Sequence, residues 1–178
     1  WQWTQGAVAS RPAPWLAVIT VVRNDRSGLI RTRESLVAQS RRDFEWLVLD
    51  GGSDDGGAEV LRRWAAGGVP PLSWARSGPD GGPYPAMTLG LAAARADYVW
   101  FLNAGDTLAG PQTLAQVAQA LAGKGGDGRP PVDFLYGDAD ETTTAGDRRR
   151  KPARSHRALW YGLFTHHQGM VFRRALVA

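Results

Sequence analysis

The chain is 178 residues long and 43% hydrophobic, a size and core fraction that fit one domain and argue against two. It has no cysteine and no run near the roughly 20 apolar residues of a membrane span, which excludes disulfide frameworks, thiolate metal sites and membrane-spanning helices. The formal charge of +4 is carried almost wholly by arginine, much of it in Arg148-Arg149-Arg150-Lys151 and at Arg154 and Arg157; such a cluster suits nucleic acid, a membrane surface or a phosphorylated substrate, and equally a solvated face.

Residues 1–14 open with Trp1-Gln2-Trp3, which lacks the layout of a signal peptide, so they read as a lead-in and the chain reads as cytoplasmic. Trp15 to Val22 is β-branched and apolar and forms the first predicted strand. It breaks at Arg23-Asn24-Asp25. Leu29, Ile30, Leu36 and Val37 then fall on one face of a helix over Ser27–Gln39, with Ser27 as its expected N-cap. Phe44 to Leu49 is the second strand and runs straight into Asp50-Gly51-Gly52-Ser53-Asp54-Asp55-Gly56. Strand, helix and strand in that order make a right-handed βαβ unit, so the loop at Arg23 and Asn24 and the Asp50 turn open into one crevice. A carboxylate at such a strand tip can accept from a ribose hydroxyl or a base N–H, and Gly51 and Gly52 let a ligand approach the backbone. Ser53 or Asp54 is expected to cap the following helix, which carries Val60, Leu61 and Trp64. The first strand-to-helix turn has no G-x-G-x-x-G, and Gly123-Lys124 lacks the rest of a P-loop.

Leu72-Ser73-Trp74 is a short strand, and the Gly- and Pro-rich stretch from Arg76 to Pro85 reads as a rigid functional loop without regular structure. A helix resumes over Ala86–Arg95. The run Tyr98-Val99-Trp100-Phe101-Leu102 suits a strand buried on both faces, and it ends abruptly in Asn103-Ala104-Gly105-Asp106. A carboxylate beside an amide oxygen at that end of a central strand suits a hard divalent cation that bridges to phosphate oxygens. Alternatively, Asp106 caps the helix that begins near Pro111.

The closing third starts with a helix over Gly110–Leu121, Pro111 lying in its first turn, and a glycine-rich loop over Ala122–Pro131. Val132 to Tyr136 is the next strand, ending in Gly137-Asp138-Ala139-Asp140-Glu141. These carboxylates, Asp138 first, could serve as a catalytic base or approach a metal, or form a solvated turn. Arg148 to Lys151 is read as a strand edge facing a phosphate-linked acceptor, such as a lipid-diphosphate sugar at the inner leaflet, with peripheral membrane association. His166-His167-Gln168 precedes an apolar strand over Gly169–Phe172, where a histidine could bind metal, the diphosphate or the acceptor. The final residues, Arg173 to Ala178, look like the opening of a helix, so the chain is expected to be part of a longer one.

Four segments in this order resemble the inverting family 2 glycosyltransferases of the GT-A fold, nearest the branch that builds colanic-acid-type and other surface polysaccharides. They are Asp50-Gly-Gly-Ser-Asp-Asp-Gly, Gly78-Pro-Asp-Gly-Gly-Pro-Tyr-Pro-Ala-Met, Ala96-Asp-Tyr-Val-Trp-Phe-Leu-Asn-Ala-Gly-Asp106 and His167-Gln-Gly-Met-Val-Phe-Arg-Arg. The resemblance spans about Trp15 to Arg174 and implies a single α/β domain over 15–178, a Rossmann-like three-layer sandwich with a mostly parallel sheet and helices on both faces. It implies that Thr20 to Val22, Asn24 and Asp50 hold the uracil and ribose of a UDP-sugar, and that Asp80, Gly81 and Tyr84 close the nucleoside pocket. Asn103 and Asp106 stand where the family carries its D-x-D-like motif, so Asp106 would bind Mn2+ or Mg2+ against the diphosphate, stabilising the leaving group. A saccharide or lipid-linked acceptor would attack the anomeric carbon, with Asp106, Asp138 and His167 as the catalytic candidates here. Pro85, Thr88 and Leu89 replace an Asp, an Asn and a Lys common in the family, and its usual acidic pair with the base would fall beyond Ala178. The rival reading is a non-catalytic nucleotide-sugar-binding module. Nucleic acid is not an expected partner, since the arginine cluster lacks interleaved aromatics.

Overall fold

The most β-branched run in the sequence lies at the centre of the sheet, as a strand buried on both faces must. The computed structural model describes residues 1–4, 14–122, 132–143, 146–157 and 165–178. Its strands are β1 (Gln2–Thr4), β2 (Leu16–Val22), β3 (Glu45–Asp50), β4 (Leu72–Ser77), β5 (Tyr98–Phe101), β6 (Phe134–Tyr136), β7 (Ala139–Thr142), β8 (Arg148–Lys151) and β9 (Met170–Arg173). The helices are α1 (Arg26–Val37), α2 (Gly57–Ala66), α3 (Pro83–Ala93) and α4 (Thr113–Ala122). Seven strands form one sheet in the order β1-β4-β3-β2-β5-β9-β6, while β7 and β8 pair as a separate antiparallel ribbon. β4, β3, β2 and β5 are parallel; β1 and β9 run against them.

Burial explains the layers. On one face Leu29 and Leu36 of α1, Leu61 and Ala65 of α2 and Leu114 and Leu121 of α4 pack on Leu16, Val18, Trp46 and Val48. On the other, α3 packs through Ala86 against Ala17, Ile19, Leu47 and Leu49. This is the expected α/β sandwich with helices on both faces. Trp46 is fully buried, and its Nε1 donates to Thr20 Oγ1 at 2.9 Å, which in turn donates to the Leu102 carbonyl at 2.7 Å. A buried indole costs little when its one donor is satisfied, and here the same relay links β3, β2 and the end of β5.

α3 approaches the sheet most closely at Gly90, where a Cβ would stand 2.6 Å from Ile19 Cγ2 and 2.8 Å from Leu49 Cδ1. Gly90→Ala should therefore destabilise the protein by ~1–3 kcal/mol through overpacking, although alanine is the better helix former; urea unfolding of the two proteins measures it.

Several local expectations are corrected. Asp25, not Ser27, caps α1, accepting from Gly28 N at 2.8 Å. Neither Ser53 nor Asp54 caps α2, whose N-cap is Gly56 at φ 85°, a conformation that suits glycine. The stretch from Arg76 to Pro85 is irregular only in its middle, because β4 runs to Ser77 and Pro83 starts α3, where a missing N–H costs nothing. α4 begins at Thr113, after a turn containing Pro111. Asp140 and Glu141, after Gly137, lie in a strand rather than a turn, paired with basic residues across the ribbon: Arg148 with Asp140 at 3.0 Å and Lys151 with Glu141 at 3.1 Å. Residues 167–169 form a 3-10 turn before β9, and Arg174–Leu176 is another 3-10 turn rather than a helix. The loop expected over Ala122–Pro131 and the lead-in between Thr4 and Pro14 lie outside the described residues, apart from their ends. Among the described residues no helix is long and apolar enough to cross a membrane.

Candidate active site

Because β3, β2 and β5 are parallel, their carboxyl ends share one edge of the sheet. Val22 pairs with Asp50, and the end of β5 continues the ladder through Leu102 N to Ile19 O at 3.0 Å and Ala104 N to Val21 O at 3.1 Å. Only β2 separates the Asp50 turn from the turn at Asn103–Asp106, so two strand spacings of ~4.8 Å put the two turns roughly 10 Å apart. The strand order reverses between β2 and β5, and that is where an open α/β sheet forms its ligand crevice.

The residues expected to hold the nucleoside divide into two sets. Thr20 is fully buried with its hydroxyl engaged as described, and the carbonyl of Val22 takes Gly51 N at 2.9 Å. Asn24 sits at φ 53°, donates its N–H to Ser53 Oγ at 2.8 Å and accepts Asp54 N at 2.9 Å, lacing the two turns together. Asp50 is 2% exposed and accepts from Ser77 Oγ at 2.7 Å, Ser53 N at 3.2 Å, Gly52 N at 3.3 Å and Ser53 Oγ. These four residues shape the crevice wall: the Thr20 hydroxyl, the Val22 carbonyl, the Asn24 N–H and Oδ1 and the Asp50 carboxylate are all committed to the chain itself. The second set faces outward. Asp80 holds Gly82 N through Oδ1 at 2.9 Å, while its Oδ2 lies so close over Gly51 that a Cβ there would meet it at 3.0 Å. Gly81 has φ 79°, and Tyr84 is 79% exposed at the start of α3.

Across the crevice the turn after β5 is held from below by α1. Thr32 Oγ1 donates to the Asp106 carbonyl at 2.8 Å and accepts Gly105 N at 3.1 Å. Gly105 has φ 93°, so glycine is required for the turn to close. His167 from the turn before β9 meets Asn103, Nε2 to Nδ2 at 3.2 Å. Two buried oxygens, Asn103 Oδ1 and Asp106 Oδ2, are left without a partner. Such atoms are costly unless something else satisfies them. Among the described residues no three His, Asp or Glu side chains gather to enclose an ion. The donor set thus fits a hard cation held by one carboxylate and one amide oxygen, its remaining positions taken by phosphate oxygens and water.

Burial raises the Asp106 pKa above its ordinary value of 3.8, an effect partly offset by the neighbouring Gln168 side chain and the nearness of His167. The folded state therefore keeps the proton to higher pH than the unfolded chain. Stability falls as pH rises from 3.8 through the folded value, and the deficit persists above it. Asp106→Asn should accordingly be the more stable protein near pH 7, with the gain fading at about pH 3, as paired urea titrations would show.

Asp138 lies at the root of the β7–β8 ribbon, next to Gly137, whose N–H donates to the Gly169 carbonyl at 2.9 Å. It accepts Ala153 N at 2.9 Å and Arg150 Nη2 at 2.7 Å, and these bonds, the backbone one first, hold its pKa low. A carboxylate kept ionised in this way is a weak proton acceptor, so the arrangement favours an anchor for the ribbon over the expected base. Gln168, Thr32 and Trp100 were not singled out in the sequence as site residues. Trp100 Nε1 donates to the Gln168 carbonyl at 2.6 Å, a contact between β5 and a turn 68 positions later that no local pattern signals.

Known proteins share the fold and the family of this chain. The Rv1514c protein of Mycobacterium tuberculosis, described as an uncharacterized glycosyltransferase, is 41% identical over 141 residues, which are 79% of this chain and 50% of that protein. The chain thus spans about half the length of the relative. Among solved structures, the mannosyltransferase PcManGT of Pyrobaculum calidifontis, in complex with GDP-Man and Mn2+, matches 93% of this chain and 46% of its own at a TM-score of 0.64 and 20% identity. Staphylococcus aureus TarS 1-349 in complex with UDP-GlcNAc matches 91% of this chain and 46% of its own at 0.59 and 20%. At such identities these likenesses show the fold, which is GT-A. The model of the family "Glycosyl transferase family 2" matches residues 17–177, nearly the whole chain, and the chain belongs to that family.

Proposed function

We propose that this chain forms the donor-binding part of an inverting, metal-dependent glycosyltransferase. It would move a sugar from a nucleotide-sugar, a UDP-sugar foremost, to a saccharide or lipid-linked saccharide in cell-surface polysaccharide synthesis. The observation that carries the reading is the pair of unpartnered buried oxygens, Asn103 Oδ1 and Asp106 Oδ2, at the switch point of a parallel sheet. Solved structures of the same fold holding UDP-GlcNAc, or GDP-Man with Mn2+, support the donor class and the use of a cation. Inversion and the surface-polysaccharide acceptor rest on the resemblance of the four sequence segments to the family branch named above.

Asp106 and Asn103 would hold the cation, Mn2+ or Mg2+, which would supply positive charge against the departing nucleoside diphosphate. Asp80 Oδ2 and Tyr84 line the nucleoside side, where a carboxylate accepts from a base or ribose and a ring offers a stacking face. Asp50, Asn24, Val22 and Thr20 keep that wall in shape. His167 orients the cation side through Asn103.

The second reading, a binding module without turnover, is favoured by α3. Leu89 is 40% exposed, and Thr88 turns its hydroxyl back to the Tyr84 carbonyl at 3.1 Å, so these positions offer the donor no polar group. Incubation with UDP-glucose, UDP-GlcNAc and GDP-mannose in Mn2+, read as nucleotide release alongside calorimetric titration of UDP and GDP, separates the two. Binding with release supports the transferase, binding without release supports the module, and no binding removes the donor site.

A further inference from the structure

We propose that Arg23 and Asp80 together read the imide edge of uracil and so set the base specificity of the donor. The proposal rests on the nucleotide-sugar reading above and adds to it the base that is chosen and a residue, Arg23, that chooses it.

Arg23 is the first residue beyond β2, the strand that separates the Asp50 turn from the Asp106 turn. Its backbone is fixed from both sides. Val22 ends the ladder opposite Asp50 and takes Gly51 N at 2.9 Å, while Asn24 is laced to Ser53 and Asp54. The loop that carries Asp80 is tied to the same turn, since Gly78 N donates to the Asp50 carbonyl at 3.0 Å. The two side chains meet over Gly51, which is buried. A Cβ there would stand 3.0 Å from Asp80 Oδ2 and 3.4 Å from Arg23 Cδ. A residue without a Cβ lets both side chains, and a ligand, come down onto the backbone at this point.

Neither group is engaged by the chain. Arg23 is exposed, and among the described residues nothing hydrogen-bonds or ion-pairs with its guanidinium. Asp80 gives Oδ1 to Gly82 N at 2.9 Å, and no hydrogen bond among the described residues uses Oδ2. A group that only donates and an oxygen that only accepts thus share the floor of the crevice. Uracil matches that pair: its N3–H donates to the one oxygen, and a carbonyl beside N3 accepts from the guanidinium. Guanine offers two N–H donors in a row, which call for both carboxylate oxygens, and Oδ1 is already held by Gly82 N. Cytosine in the same seating carries a lone pair at N3 and an amino group in place of O4, so both contacts are reversed. A polar site rejects such an analogue because its own groups are left unpaired.

The test compares UDP with CDP, which share ribose and diphosphate and differ only at the base edge, so that metal and phosphate contacts cancel in the ratio. Calorimetric titration in Mn2+ should give the parent a preference for UDP over CDP of ~tenfold or more. Arg23→Met keeps the stem over Gly51 and removes the donors; it should cut that preference by about threefold or more. Asp80→Asn can still hold Gly82 N through its amide oxygen while it turns N–H groups toward N3, so it should cut the preference by ~tenfold and tighten CDP. Thermal melting checks that both variants fold, and if Asp80→Asn does not, the Arg23→Met ratio decides alone. The proposal is overturned by a parent that binds UDP and CDP within about threefold of each other, or that prefers GDP. It is equally overturned if Arg23→Met weakens UDP and CDP alike, the result expected of a residue that holds phosphate. A parent that binds no nucleotide removes the donor site and the proposal with it, an outcome distinct from a parent that binds UDP and CDP alike.

Discussion

Asp106→Ala is expected to abolish any effect of Mn2+ on UDP binding while leaving metal-free UDP affinity within about twofold. The parent should bind UDP at least tenfold more tightly with the ion, a difference of ~1.4 kcal/mol or more. The expectation follows from the donor set. Among the described residues no cluster of three His, Asp or Glu side chains could take over the ion, so removing the one carboxylate leaves an amide oxygen and water. Calorimetric titration with and without Mn2+ reads the result. An alanine variant that still shows the metal effect would place the ion elsewhere. Asp106→Asn should lose the metal effect as well, yet gain stability at neutral pH, because burial disfavours the ionised carboxylate in the fold. Opposite signs on binding and stability are what a site residue retained at a cost to the fold should give.

Asp50→Ala should have the largest effect on stability, ~3 kcal/mol or more, because it strips the acceptor from several buried donors at once. Ser77 Oγ, Ser53 N and Oγ, and Gly52 N all converge on this carboxylate, and water has little access to a group 2% exposed. For a chain of this size that loss corresponds to a fall in melting temperature of roughly 6–12 °C. Asp50→Asn, which keeps one acceptor oxygen, should fall between the two. Thermal melts decide the matter: a loss below about 1 kcal/mol would mean that the carboxylate is not the pivot of the turn. Such a result would return Asp50 to the ligand-contacting role its position at a strand tip first suggests.

The contrast between Asp50 and Asp106 shows how much could be read without coordinates. Both were legible as carboxylates delivered to the same sheet edge, because strand, helix and strand fix the handedness of the crossover and hence the side on which strands end. Their unlike environments were not. Whether a carboxylate is saturated by Ser77, 27 positions away, or left with a bare oxygen depends on contacts that no periodicity records. The same holds for Asp138, whose run of acids reads as a solvated turn until the ribbon sets Arg150 opposite Asp140 and within reach of Asp138. Buried strands such as Leu16–Val22 and Glu45–Asp50 were easiest to find, since a continuous apolar run of that length has few alternatives. Caps were hardest, since Asp25, Ser27, Ser53 and Asp54 are all chemically able to cap and only the backbone chooses among them.

In the proposed function the Asp50 and Asp106 turns form the two banks of one nucleotide-diphosphate site. A crystal structure of the protein with UDP and Mn2+, using the anomalous signal of the metal, tests it most directly. The claim predicts a manganese peak coordinated by Asp106 Oδ2, with the diphosphate beside it and the nucleoside lying across the end of β2 toward Asp80. Nucleotide bound instead in the groove of about 650 Å³ that Gln2, Trp74 and Leu89 line beside α3, or a metal peak away from Asp106, would contradict it.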